Sequence, residues 1–112
     1  MSKVTSTDRQ ATGEMSIDAF VDALWLEDGL AKNTLAAYRR DLEAFAHWLA
    51  ANGKALDEVE GVDVLAWQAQ EHPHTKASTA NRRLATLRRY YRWARRMGRV
   101  QTDPCLQVVA AK

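Results

Sequence analysis

The chain has 112 residues, 46% apolar and 27% charged, a composition that suits one domain with a buried core and argues against wholesale disorder. No run approaches about 18 uninterrupted apolar residues, and the N-terminal stretch MSKVTSTDRQATGEMS lacks the apolar block of a secretory signal, so neither a membrane span nor export is expected. The net charge of +2 hides a division: residues 1–75 carry six Lys/Arg against thirteen Asp/Glu, a balance of −7, whereas residues 76–112 carry ten against the single acid Asp103, a balance of +9.

Residues 1–15 are polar and without period, and are expected to form a disordered arm. A first helix is predicted from Ser16, as N-cap, to Gly29, with Ile17, Phe20, Val21, Leu24 and Trp25 at three- and four-residue steps. A second runs from Asn33 to Ala51 and is stopped by Asn52-Gly53; Leu35, Tyr38, Leu42, Phe45 and Leu49 form its stripe, with Trp48 on the flank. In the loop KALDEVEG, Leu56 and Val59 tuck onto the core, while Asp57, Glu58, Glu60 and Asp63 are expected to stay solvated. A third helix, Val62 to Glu71, ends before Pro73, because the residue preceding a proline is pushed out of helical geometry. After the loop HPHTKA a fourth helix opens on Ser78 as N-cap and runs to Met97, with Gly98 at C′. Thr102-Asp103-Pro104 then sets up a last helical turn through Val108, with Pro104 at its first position. Two prolines and five glycines leave room for these helices. The predicted fold is all-α: a bundle of four helices plus a short C-terminal helical turn, its short connections implying roughly antiparallel neighbours.

The fourth helix carries the functional information. At about 100° per residue its side chains separate into two arcs. One holds Ala80, Leu84, Leu87, Tyr91 and Ala94, with Tyr90, Trp93 and Met97 toward an edge. The other holds Arg82, Arg88, Arg89, Arg92, Arg95, Arg96 and Arg99 together with Asn81, and only Arg83 falls among the apolar positions. A solvated surface helix normally intersperses acids, because like charges at i,i+4 such as Arg88–Arg92 repel. This arc has none, which calls for an external anion. Arginine's planar fork matches phosphates and guanine edges, favouring nucleic acid. At the start of the helix Lys76, Ser78, Thr79, Asn81, Arg82 and Thr86 combine backbone amides, hydroxyls and forks suited to phosphates and base edges. A membrane surface would need the apolar arc, which the bundle requires for its own packing; an acidic protein partner docking on the basic helix is the alternative. On the second helix Asn33, Ala36, Ala37, Arg40, Ala44 and His47 lie opposite the apolar stripe, either as a small-residue face that lets a backbone approach closely or as plain helix formers.

Catalytic constellations are missing from the pattern: there is no nucleophile–base pair and no glycine-rich phosphate loop. His72-Pro73-His74 has only Glu71 beside it, so no metal site is expected, nor any cofactor or small-molecule ligand. The four tryptophans, Trp25, Trp48, Trp67 and Trp93, are assigned to core and flanks. The lone Cys105 can form no internal disulfide, which fits a reducing, cytoplasmic setting.

The run from Trp25 to Leu35, WLEDGLAKNTL, followed by Ala37-Tyr38-Arg39-Arg40-Asp41-Leu42, resembles the N-terminal core-binding domain of bacterial tyrosine recombinases of the XerD-like kind. So do Lys76-Ala77-Ser78-Thr79-Ala80-Asn81-Arg82-Arg83-Leu84, then Leu87-Arg88-Arg89-Tyr90-Tyr91, and Asp103-Pro104 near the exit. The resemblance spans residues 16–109. It implies a SAM-like four-helix domain that clamps double-stranded DNA opposite a catalytic domain, in DNA integration and recombination of the chromosome-dimer-resolution type, alongside partner recombinase subunits. By position, Thr34, Ala37 and Arg40 of the second helix and Ser78, Thr79, Arg82, Arg83 and Thr86 of the fourth are implied to lie near the duplex, with Lys76, Asn81 and Arg89 added from the helix pattern. Arg83 departs from the apolar residue such relatives place there, leaving open whether it reaches DNA or packs its stem. The family's chemistry uses two arginines, a His-x-x-Arg element and a tyrosine nucleophile in its second domain. No His-x-x-Arg occurs here, and Tyr38, Tyr90 and Tyr91 sit on core faces. Residues 16–109 are therefore expected to be the non-catalytic first domain, with 110–112 starting a linker.

Overall fold

A computed structural model describes residues 6–109. Among the described residues there are four α-helices and no strand: α1 (Ser6–Ala23), α2 (Lys32–Ala51), α3 (Gly61–Glu71) and α4 (Ala77–Arg96). Contacts divide the chain into two compact units, Met1–Glu58 and Val59–Lys112.

In the N-terminal unit α1 packs on α2. Ile17, Phe20, Leu42 and Phe45 are fully buried, and Leu24, Leu35 and Leu49 nearly so, the three- and four-residue spacing that the sequence displays. The helix starts at Ser6 rather than at Ser16, so residues 6–15, expected as a disordered arm, are helical; residues 1–5 lie outside the described residues. The added turns have no apolar period, but extending an existing helix costs far less than nucleating one. Gly13 lies close enough to α2 that a Cβ there would sit 3.4 Å from that of Ala46. Ser16 is consequently internal and buried, and its hydroxyl donates to Asp57 Oδ2 at 3.2 Å instead of capping. Across the helix pair Arg39 bonds Asp18, and the rings of Phe20 and Tyr38 lie 6.4 Å apart.

α1 ends in a π turn, Leu24–Asp28. Its i→i+5 bonding widens the turn and carries later residues out of the 3.6-residue phase. Leu24 stays inside, but Trp25, assigned above to the core or its flank, turns outward and is 51% exposed. α2 ends in a Schellman motif: Gly53, at φ 77°, donates to Ala50 O, and Lys54 donates to Leu49 O, which satisfies carbonyls left open by the helix end.

The C-terminal unit contains α3, a 3-10 turn His72–His74 that accommodates Pro73, and α4. α3 opens on a capping box between Glu60 and Asp63, with the Glu60 N–H donating to Asp63 Oδ2 at 2.9 Å. Two of the carboxylates expected to be merely solvated therefore close a helix end. α4 begins at Ala77 with Lys76 as N-cap, so Ser78 lies inside the first turn, and no side chain bonds the cap. Tyr90, Tyr91 and Ala94 are fully buried and Leu84, Leu87 and Trp93 almost so; Tyr90 meets Tyr91 edge-on at 5.0 Å. Gly98 at φ 75° completes a second Schellman motif, its N–H donating to Arg95 O and that of Arg99 to Ala94 O. The segment after it forms i→i+3 turns around Pro104, Leu106 to Asp103 and Val108 to Cys105, in place of the expected helical turn. Asp103 Oδ1 accepts the Cys105 N–H there at 2.8 Å, an Asx-type turn that competes with helix.

Candidate nucleic-acid interface

The buried aromatic edge of α4 fixes which side of the helix meets solvent. Arg82, Arg92, Arg95, Arg96 and Arg99 are exposed, and Arg88 and Arg89 are half-buried. No acidic residue occurs anywhere on α4. Arg92 and Arg95 make no hydrogen bond or ion pair with another described residue. Arg88 is engaged within the protein, where its Nη2 donates to Val108 O at 2.6 Å and holds the C-terminal segment. The Arg99 guanidinium lies 5.1 Å over the Trp93 ring, a cation–π contact that orients the fork without neutralising it. At the other end, exposed Lys76 and Ser78 flank first-turn amides that receive no side-chain cap, the donor arrangement that suits a phosphate.

Eleven residues were singled out by sequence, and the structure separates them. Thr34, Arg40, Lys76, Ser78 and Arg82 are exposed, while Ala37, Thr79, Asn81 and Arg89 are half-buried. Thr86 is a correction. It is fully buried and donates its hydroxyl to Arg82 O at 3.2 Å, the i−4 bond open to a threonine in a helix; a duplex has no access to it. Arg83 turns inward: its Cζ lies 5.4 Å over the Trp67 ring and its Nη1 3.8 Å from Glu71 Oε1. It packs its stem. Arg92 and Arg95, named above only as members of the arc, are the unpaired cations; the absence of any acid within one helical turn of them was the available signal.

On α2, Asn33, Ala36, Arg40, Ala44 and His47 are exposed and Ala37 is half-buried, forming one stripe at helical spacing. Arg40 makes no hydrogen bond or ion pair with another described residue. Its neighbour Arg39 belongs to the inner structure through Asp18 and Glu43.

Cys105 is buried, and desolvation, with Asp103 nearby, pushes its thiol up to about 12. It stays protonated at neutral pH and is a poor nucleophile. Tyr90 and Tyr91 are fully buried. Among the described residues no three His, Cys, Asp or Glu side chains converge as a metal site, and no helix is long and apolar enough to cross a membrane.

These features define an all-helical domain with one strongly basic, acid-free helix face. Comparison with known proteins supplies the family: residues 17–98 match the phage integrase N-terminal SAM-like domain, and the chain belongs to that family. It is 53% identical over 97 residues to the tyrosine recombinase XerD of Ralstonia nicotianae, covering 87% of this chain and 32% of that protein. It is 45% identical over 95 residues to tyrosine recombinase XerD of Pseudomonas aeruginosa (82% and 31%) and 39% identical over 106 residues to that of Proteus mirabilis (93% and 34%). The chain thus spans about a third of the length of these relatives. No solved structure matches.

Proposed function

We propose that this chain is a duplex-DNA-binding module of a site-specific tyrosine recombinase, non-catalytic by itself, whose parent polypeptide works in the cytoplasm with partner recombinase subunits in DNA recombination. The observation that carries this reading is the α4 arc, where Arg92 and Arg95 have no partner among the described residues and no acid shares the helix. Forks held on a rigid helix grip phosphates at little ordering cost, and they release condensed counterions on doing so. Lys76, Ser78 and the uncapped amides of the first turn take a phosphate at the α4 start, and Arg82, Arg89, Arg92, Arg95 and Arg96 track the backbone. Thr79 and Asn81 stand where a base edge is reached. From α2, Thr34 and Arg40 contact the duplex, with Ala37 allowing close approach.

Neutralising about five phosphates gives a log–log salt slope near −4 to −5 on B-DNA. Fluorescence anisotropy of a labelled duplex between 50 and 200 mM salt, the range over which such slopes are read, tests this. A slope near zero refutes the arginine grip, and tighter binding to an acidic protein at matched salt assigns the arc to a protein partner instead.

A further inference from the structure

The C-terminal unit contains a cleft of about 160 Å³ that the outward arginines do not line. Its walls include Trp67 and Glu71 of α3, Arg83, Leu84 and Leu87 of α4, and Val109. That volume admits one six-membered ring, since an apolar cavity of about 150 Å³ holds benzene.

Within it Arg83 is incompletely satisfied. One face of its guanidinium rests on Trp67 and its Nη1 lies 3.8 Å from Glu71 Oε1, but Nε is buried and has no hydrogen-bond partner among the described residues. A buried N–H without an acceptor is uncommon in folded proteins, and it marks a place where an occupant can supply one. Electrostatics narrows the occupant. Glu71 already offsets the charge of Arg83, so a second anion meets the repulsion of that carboxylate. An uncharged oxygen meets none. A group that also carries an N–H has a ready acceptor in Glu71, whose long contact with Arg83 leaves lone pairs available.

We infer that this cleft is a binding site for a single-ring aromatic carboxamide. The ring lies against Leu84 and Leu87, the carbonyl oxygen accepts the Arg83 Nε–H, and the amide N–H donates to Glu71.

The test is a ¹H–¹⁵N correlation NMR titration of this chain with three probes matched in ring size: benzamide, benzoate and toluene. Benzamide is expected to shift the Arg83 Nε–H signal and the amides of Leu84 and Leu87 saturably, with benzoate and toluene at least about tenfold weaker, each lacking one part of the match. Arg83→Lys keeps a cation beside Glu71 but has no donor at the Nε position; it weakens benzamide about tenfold and leaves toluene unchanged. No saturable shift of those signals by benzamide overturns the inference. Benzoate binding as tightly as benzamide overturns it too, and so does an Arg83→Lys variant that binds benzamide like the parent chain. If Arg83→Lys does not fold, the three-probe comparison on the unmodified chain decides alone. Duplex binding depends on other side chains, so a negative result here leaves that reading untouched.

Discussion

Replacing both Arg92 and Arg95 by alanine separates grip from fold. Both side chains are exposed and neither bonds another described residue, so their removal opens no cavity and orphans no partner. It relieves three like-charge pairs at i,i+4, Arg88–Arg92, Arg92–Arg96 and Arg95–Arg99, each destabilising by about 0.2–0.5 kcal/mol. Together with the slightly better helix propensity of alanine, the double variant is expected to gain about 1 kcal/mol, read as an upward shift of the urea midpoint followed by circular dichroism. With an m-value of about 2 kcal/mol per molar, that is a shift of roughly 0.5 M. Duplex affinity moves the other way, and losing two phosphate contacts makes the salt slope shallower by about 1.8. Stabilisation combined with a shallower slope is a signature that general damage cannot imitate. An unchanged slope refutes the assignment of these two arginines to phosphate, and a lowered urea midpoint refutes the claim that they are free.

Arg88→Met removes the charge-assisted bond to Val108 O and is expected to cost about 1.5–3 kcal/mol in urea unfolding, the opposite sign from its arc neighbours. Thr86→Val keeps the volume but loses the hydroxyl bond to Arg82 O; it is expected to cost about 1 kcal/mol while duplex affinity measured on folded protein stays unchanged. Gly98→Ala places a Cβ in a left-handed residue with open space around it, so strain alone acts, and the melting temperature falls by the equivalent of about 1 kcal/mol. The Cys105 thiol titrates higher folded than unfolded, so its contribution is whole below about pH 9 and is lost as pH rises toward 12; between these limits the parent chain loses about 1.4 kcal/mol per pH unit relative to Cys105→Ala, measured by urea unfolding at each pH.

Periodicity made the helices legible because a three- to four-residue apolar repeat has one economical packing: Ile17, Phe20, Leu42, Phe45, Leu84, Leu87 and Tyr91 all lie inside, as their spacing requires. The glycines at 53 and 98 were legible for a local reason, since the left-handed residue of a Schellman motif favours a side chain that is absent. What escaped depends on tertiary partners. The helical state of residues 6–15 follows from propagation along α1 and from the closeness of Gly13 to Ala46, neither of which has a period. The outward turn of Trp25 follows from a π turn that no spacing announces. In the candidate site, exposure of Arg82, Arg92 and Arg95 followed from the wheel, but the wheel treats all arginines alike. Which of them the protein uses internally depends on where Val108 O, Trp67 and Glu71 lie in space.

The same distinction explains how a helix serves as core and grip together. A charged arc has a direction only if the helix cannot turn about its axis, and electrostatics cannot prevent that, because like charges push in every direction. On α4 the constraint is steric. Tyr90, Tyr91 and Trp93 fill three adjoining positions of the buried side at almost no exposure, the tyrosine rings edge-on and Trp93 a further 5.8 Å from Tyr90. Rotating the helix by one residue, about 100°, would expose rings of this size and bury an arginine without a partner. Arg88 adds a second constraint through Val108 O, and Arg83 a third through Trp67 and Glu71. The inward-turned arginines thus hold the outward ones to a fixed phase, so a substitution at Arg83 or Arg88 alters DNA affinity by letting the arc wander rather than by removing a phosphate contact.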